Sequence, residues 1–194
     1  MAFTGFLLLL FLFTHAAGNA TIYLGFSNFQ EYADLLHSHP LFVASFSTTI
    51  FVLFLLHGLT GIILFLQNSK DRFCRYKVSK RVVANSFASK TMVYTGLFIL
   101  LFVIIHVWTL AINRGDLPIS DLVFKKLSHP QHGIFYLISF IILSIHLSHG
   151  IFSMLQTLGI NHPRYNKTIG QLSYGIPIFF LTLFSGIVLL YLLG

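Results

Sequence analysis

Apolar residues run along this chain in long blocks that charge does not interrupt. Asp, Glu, Lys and Arg are confined to four islands, at residues 31–34, 70–90, 114–126 and 164–167. The blocks around them, residues 1–30, 35–69, 91–113, 127–163 and 168–194, contain none. A bilayer-crossing helix needs roughly 20 mostly apolar residues, and each block can supply one. The pattern predicts an all-α membrane protein with five transmembrane helices, over about 2–18, 41–67, 90–112, 131–157 and 171–193, in a single domain over residues 1–194. Residues 7–10 and the small residues at 16–18 look like the core and cleavage region of a signal peptide. A signal peptide has a positive start, and no basic residue precedes this block, which therefore reads as a retained helix.

Between the first two blocks the pattern changes. Residues 27–36 open on Ser27, a candidate N-cap, and place apolar side chains at 29, 32, 33 and 36. That spacing predicts a short amphipathic helix lying at the membrane interface as a cover over the bundle mouth.

Composition narrows the class. Of 194 residues, 56% are hydrophobic and 9% charged, against about 25% charged in a soluble domain. Five spans use most of the chain, which excludes a soluble catalytic domain within it. A single cysteine, Cys74, excludes an internal disulfide and a cysteine-held iron–sulfur cluster. Ten histidines are the conspicuous chemical resource.

Charge orients the helices. Alternate islands face opposite sides of the bilayer. The 70–90 and 164–167 islands carry Lys70, Arg72, Arg75, Lys77, Lys80, Arg81, Lys90, Arg164 and Lys167 against one acid. The other two carry Arg114, Lys125 and Lys126 against Glu31, Asp34, Asp116 and Asp121. The positive-inside rule then places residues 68–90 and 158–170 in the cytoplasm, with the amino terminus inside and the carboxy terminus outside. The cationic face suits an acidic partner surface or anionic lipid, beyond fixing topology.

An internal repeat sorts the histidines. Met1-Ala-Phe-Thr-Gly5 and His15 recur as Met92-Val-Tyr-Thr-Gly96 and His106, at a constant offset of 91. His57, Gly61, Ile62, Leu66 and Gln67 recur as His146, Gly150, Ile151, Leu155 and Gln156, at an offset of 89. Two hairpins of the same orientation imply an approximate two-fold axis along the membrane normal. At 1.5 Å per residue, His15 and His106 stand roughly 20–24 Å above the cytoplasmic ends of their helices, and His57 and His146 about 15 Å above theirs. His15 should therefore face His106 near the outer side, and His57 should face His146 nearer the cytoplasm.

Two facing imidazoles are what a six-coordinate haem requires. Pairs at two levels do not make one tetrahedral zinc site. Gly61 and Gly150, four residues after the inner histidines, would let a porphyrin edge approach the backbone. A lone intramembrane histidine is usually just hydrogen-bonded between helices; four matched by repeat and depth favour haem ligation. His149 reaches a propionate at most, because its repeat counterpart is Thr60. His129, His132 and His162 read as loop or helix-end residues, and Trp108 as part of an interfacial aromatic belt.

Several segments resemble a known family. They are Met1-Ala-Phe-Thr-Gly with His15-Ala-Ala-Gly-Asn19, Leu56-His57-Gly, Phe102-Val-Ile-Ile-His106, His146-Leu-Ser-His149-Gly150-Ile-Phe-Ser, and Leu158-Gly-Ile-Asn-His-Pro-Arg-Tyr-Asn166. Together they are similar to the dihaem cytochrome b membrane anchor of succinate dehydrogenase/fumarate reductase, over nearly the whole chain. The resemblance implies five helices and two haems b, with axial ligands at His15, His57, His106 and His146. It also implies a quinone, commonly menaquinone, and a flavoprotein and an iron–sulfur subunit on the cytoplasmic face of a prokaryotic inner membrane. FAD and the clusters would sit on those partners, and nucleic acid is not an implied partner. One departure is that the family's basic segment before the first helix has no counterpart, since Met1 opens directly on the helix.

The expected function is electron transfer between the iron–sulfur partner and quinone. Alternatives are a dihaem anchor for a hydrogenase or formate dehydrogenase, or a histidine-lined transporter. Quinone chemistry moves protons, so its site needs ionisable groups near the headgroup. Glu31, with His37 and His39 as alternatives, supplies them at the outer end beside the His15–His106 pair.

Overall fold

The computed structural model describes residues 1–70, 87–113, 115–160 and 162–193, and among them there is helix and turn but no strand. Helix α1 (Ala2–Ala20) passes through a 3-10 turn (Thr21–Leu24) to Gly25. Gly25 has φ 120° and ψ 162°, a conformation essentially confined to glycine. There the chain turns into α2 (Phe26–His37), so the residue at the helix start is Gly25 and Ser27 lies inside the first turn without capping it. After α3 (Pro40–Lys70) come α4 (Phe87–Val107), a π turn (Trp108–Ile112), α5 (Ile119–Leu127), α6 (Pro130–Thr157) and α7 (Asn166–Leu193).

Five of these helical stretches are long and apolar enough to cross a membrane: Ala2–Leu24, Pro40–Asn68, Lys90–Ile112, Pro130–Thr157 and Asn166–Leu193. They fall on the five predicted segments and mostly outrun them. Exposed Phe, Leu and Ile side chains line them along their length. Such continuous apolar surface is not tolerated in water, and lipid is its natural solvent.

The helices pack antiparallel within each hairpin. α1 lies against α3, α4 lies against α6, and α7 packs on α6 and α1. The starts of α1, α4 and α7 and the ends of α3 and α6 therefore share one end of the bundle, called here the first end. The dense core lies among α1, α6 and α7, where Leu9, Ala16, Phe140, Phe180, Phe184, Ile187 and Val188 are buried together. Among its described side chains, helix α3 contributes no buried residue.

The opposite end is covered by α2 and α5. Phe29 and Ala33 of α2, and Leu122, Val123 and Leu127 of α5, are buried, while Glu31, Asp34, Asp121 and Lys125 stay exposed. The Gln30 side-chain carbonyl accepts hydrogen bonds from both the backbone N–H and the hydroxyl of Ser120, each 3.0 Å, at the start of α5. One helix thus satisfies an orphan donor at the start of the other. Tyr32 of α2 lies against Gly18 of α1, where a Cβ would come within 2.6 Å of its hydroxyl oxygen. Tyr23 similarly donates to the Leu183 carbonyl at 2.7 Å, in space left open by Gly186.

The sequence pattern did not separate α5 from its charged island. Its signals are present in retrospect: Pro118 before the first turn, Asp121 in that turn, Lys125 and Lys126 in the last, and apolar residues at 119, 122, 123 and 127.

Candidate haem site: two facing histidine pairs

The structure brings the four repeat-matched histidines together in two pairs. The rings of His57 and His146 face each other with centroids 6.5 Å apart and planes at 73°. Those of His15 and His106 are 5.9 Å apart at 78°. Each pair joins the two hairpins, and the His57–His146 pair lies nearer the first end. Thr4 and Thr95 stand level with His57 and His146. From Thr4 to His15, and from Thr95 to His106, is eleven residues. At 1.5 Å per residue the two layers are about 16 Å apart along the bundle.

The two halves match contact by contact. The Thr4 hydroxyl is 3.2 Å from His57 Nδ1, and the Thr95 hydroxyl is 3.1 Å from His146 Nδ1. A Cβ at Gly5 would lie 3.2 Å from His57 Cε1, and one at Gly96 would lie 3.4 Å from His146 Cε1. Phe11 sits 5.4 Å from His15, and its repeat partner Phe102 sits 5.5 Å from His106. Phe11 also meets Phe46 at 6.1 Å, and Phe102 meets Phe135, the residue equivalent to Phe46, at 5.9 Å. The sequence repeat is thus a physical two-fold arrangement.

Gly61 and Gly150 face the methyl tips of Met1 and Met92, at 3.1 and 3.6 Å from where a Cβ would stand. The space beside each glycine is occupied by a flexible thioether, equivalent in the two halves. Methionine is the side chain that yields most readily to a neighbour.

The symmetry breaks at the second layer. His106 Nδ1 is 3.2 Å from the Tyr136 hydroxyl. The residue equivalent to Tyr136 is Ser47. His15 has Asn19 at 3.4 Å from Nε2, and that amide mainly donates to the His15 carbonyl at 2.8 Å.

The spacing of these pairs is compatible with a metal ion between two imidazoles. Metal–imidazole bonds of roughly 2 Å, with the ring radius added on each side, separate the centroids by about 6 Å. Ordinary aromatic pairs also span 4.5–7 Å, so distance alone does not decide. Beside the distance stand the orientation and the repetition: three of the four rings have Nδ1 on a hydroxyl, and a metal-bound histidine has its other ring nitrogen on an outer hydrogen-bond partner. Among the described residues, no three His, Cys, Asp or Glu side chains converge on one point.

The remaining predicted site residues lie apart from these pairs. His149 is half-buried on α6, one turn beyond His146. Glu31, His37 and His39 are exposed at the end covered by α2 and α5. Glu31 adjoins Tyr32, whose ring touches Gly18 one turn past His15. His37 Nδ1 is 2.7 Å from the Ala33 carbonyl. His39 lines an open apolar depression of about 670 Å³ with Ser38, Pro40, Leu41 and Phe42. The helix-end histidines fall as expected: His129 at the start of α6, His132 in its first turn, and His162 between α6 and α7, where its Nδ1 accepts from the Arg164 N–H at 3.2 Å.

Lys70, Lys90, Arg164 and Lys167 are exposed at the first end. Arg72, Cys74, Arg75, Lys77, Lys80, Arg81 and Arg114 lie outside the described residues. The residues that sequence reasoning missed as site components are Thr4, Gly5, Thr95, Gly96, Phe11, Phe102 and Tyr136. All but Tyr136 obey the offset that revealed the histidines.

No family model, characterised protein or solved structure matches the chain.

Proposed function

We propose that this chain is a dihaem cytochrome b membrane anchor of the succinate:quinone oxidoreductase type. The observation that carries the proposal is the double occurrence of facing histidines, with backing threonine, clearing glycine and flanking phenylalanine repeated across a two-fold axis. A permease has no use for two closed imidazole pairs at separate depths, whereas an electron-carrying anchor needs a redox centre at each level.

His57 and His146 would hold one haem b, and His15 and His106 the other. Bound in this way, haem supplies reversible one-electron exchange without a vacant coordination position for oxygen. The chain's own groups do the rest. Apolar helices exclude water from both layers, the hydroxyls of Thr4, Thr95 and Tyr136 orient three of the imidazoles, and Phe11 and Phe102 wall the second layer.

By the positive-inside rule the first end is cytoplasmic, so Lys70, Lys90, Arg164 and Lys167 face the cytoplasm of a prokaryotic cell. They offer a cationic surface to an iron–sulfur subunit and, with it, a flavoprotein. Quinone, with menaquinone the leading candidate, exchanges protons at the opposite end, where Glu31 and His37 are exposed on α2, the helix whose Tyr32 lies against Gly18, and His39 is exposed just after it.

A visible spectrum of the chain purified from its own membrane tests the haem reading. A bis-histidine haem Soret band at two haems per chain is the expected result, and its absence returns the chain to the transporter class. Co-purification of a succinate-oxidising flavoprotein tests the partner. Recovery of a hydrogenase or formate dehydrogenase would reassign the anchor while keeping the haems.

A further inference from the structure

Imidazole has two neutral tautomers, and only the Nδ1–H form leaves Nε2 a lone pair with which to bind a metal. The bonds of the two threonines behind His57 and His146 bear on which tautomer each ring adopts. The Thr4 hydroxyl donates to the Met1 carbonyl at 2.9 Å. The Thr95 hydroxyl donates to the carbonyls of Met92 and Thr91 at 3.0 and 3.1 Å. A hydroxyl has one proton. With that proton engaged on the backbone, each oxygen can only accept from the histidine nitrogen 3.2 or 3.1 Å away.

We propose that Thr4 and Thr95 are positioning residues that hold His57 and His146 as Nδ1–H tautomers, leaving the Nε2 of each ring free to bind a metal centre between the two; the metal-binding part rests on the haem reading of this pair.

Threonine in a helix ordinarily bonds back to its own preceding turn, and a purely local role would end there. These two also reach a histidine on another helix, 53 and 51 residues away in sequence, at matching places in the repeat. The residue after each threonine is the glycine against which that histidine ring lies. Threonine and glycine together therefore make a seat, with the hydroxyl fixing one nitrogen and the missing Cβ clearing room for the ring edge. The second layer has no such symmetric seat, because Tyr136 takes the backing role for His106 and Ser47 stands at the equivalent place. The two centres are consequently built differently, with a matched pair near the first end and an unmatched pair beyond it.

The test uses the full chain in lipid with ¹⁵N-labelled histidine, compared with Thr4→Val and Thr95→Val, which keep shape and lose the hydroxyl, and with Thr4→Ser and Thr95→Ser, which restore it. In the haem-free wild type, the His57 and His146 nitrogens should report the Nδ1–H form. Each valine variant should release its own histidine toward the Nε2–H form that imidazole prefers in water, and serine should reverse the change. After haem loading, each valine variant should hold the haem of this pair 10–100-fold more weakly and shift its reduction potential, with the His15–His106 haem unchanged. An Nε2–H signal from either histidine in the wild type overturns the inference, as do nitrogen spectra that the valine variants leave unmoved. Wild-type spectra suffice if a valine variant fails to fold. A wild type that takes up no haem defeats the haem reading separately, because the haem-free nitrogen spectra still decide the tautomer.

Discussion

Removing one histidine at a time gives the sharpest test of the paired arrangement. In the proposed reading each iron would be held by histidines from two different helices, and the two layers are about 16 Å apart along the bundle. Sites separated by more than about 7–10 Å without shared partners behave independently. His57→Ala should therefore lower haem content from two per chain to one and leave the His15–His106 haem with its spectrum and potential unchanged. His146→Ala should do the same, and the double variant His57→Ala/His146→Ala should lose no more than either single change, because the first substitution has already broken the pair. His57→Ala/His106→Ala should lose both haems. Substituting His149, half-buried one turn further on, should cost neither. The cavity left by the ring lies beside Gly5 and Thr4, so added imidazole should restore part of the lost haem in His57→Ala. The assays are haem per chain by the pyridine haemochrome method, a redox titration, and circular dichroism to show that helix is retained. Loss of both haems in folded His57→Ala would refute the independence of the layers. A dispensable His146 with an indispensable His149 would refute the pairing itself.

Three further outcomes are expected. Gly18→Ala places a methyl within 2.6–2.8 Å of the rigid Tyr32 ring and should destabilise the chain by about 1–3 kcal/mol, whereas Gly58→Ala, with nothing within 4 Å, should not; thermal unfolding in detergent separates them. Gln30→Ala removes the acceptor for two Ser120 donors and should cost about 1 kcal/mol, read as faster amide exchange at the start of α5, with Gln30→Glu retaining protection. Glu31→Gln should slow quinone turnover while leaving both haems in place. A quinone-analogue inhibitor located only at the first end, near His57 and His146, would show that the proton-exchanging site is elsewhere.

Much of the architecture is legible without coordinates because a bilayer imposes a strict rule. A charged side chain is costly in hydrocarbon, so the charge-free blocks had to be the spans, and the five long helices coincide with them. Pairing of the histidines was legible for a different reason. A two-fold axis converts a constant sequence offset into spatial equivalence, so residues 91 or 89 apart must occupy matching places. Thr4 and Thr95, Gly5 and Gly96, and Phe11 and Phe102 carry the same offset as the histidines, yet an offset says only that two residues are alike and not what each one touches. That Thr4 reaches His57 on another helix, and that Met1 lies over Gly61, depends on how α1 is rotated about its axis against α3. Tyr136 behind His106 was invisible to the repeat because it breaks it. The union of α2 and α5 through Gln30 and Ser120 joins residues 90 apart, outside any helical period. Local pattern and symmetry act along the chain and so can be read from it, whereas side-chain registry between helices is set by packing, which only the folded bundle determines.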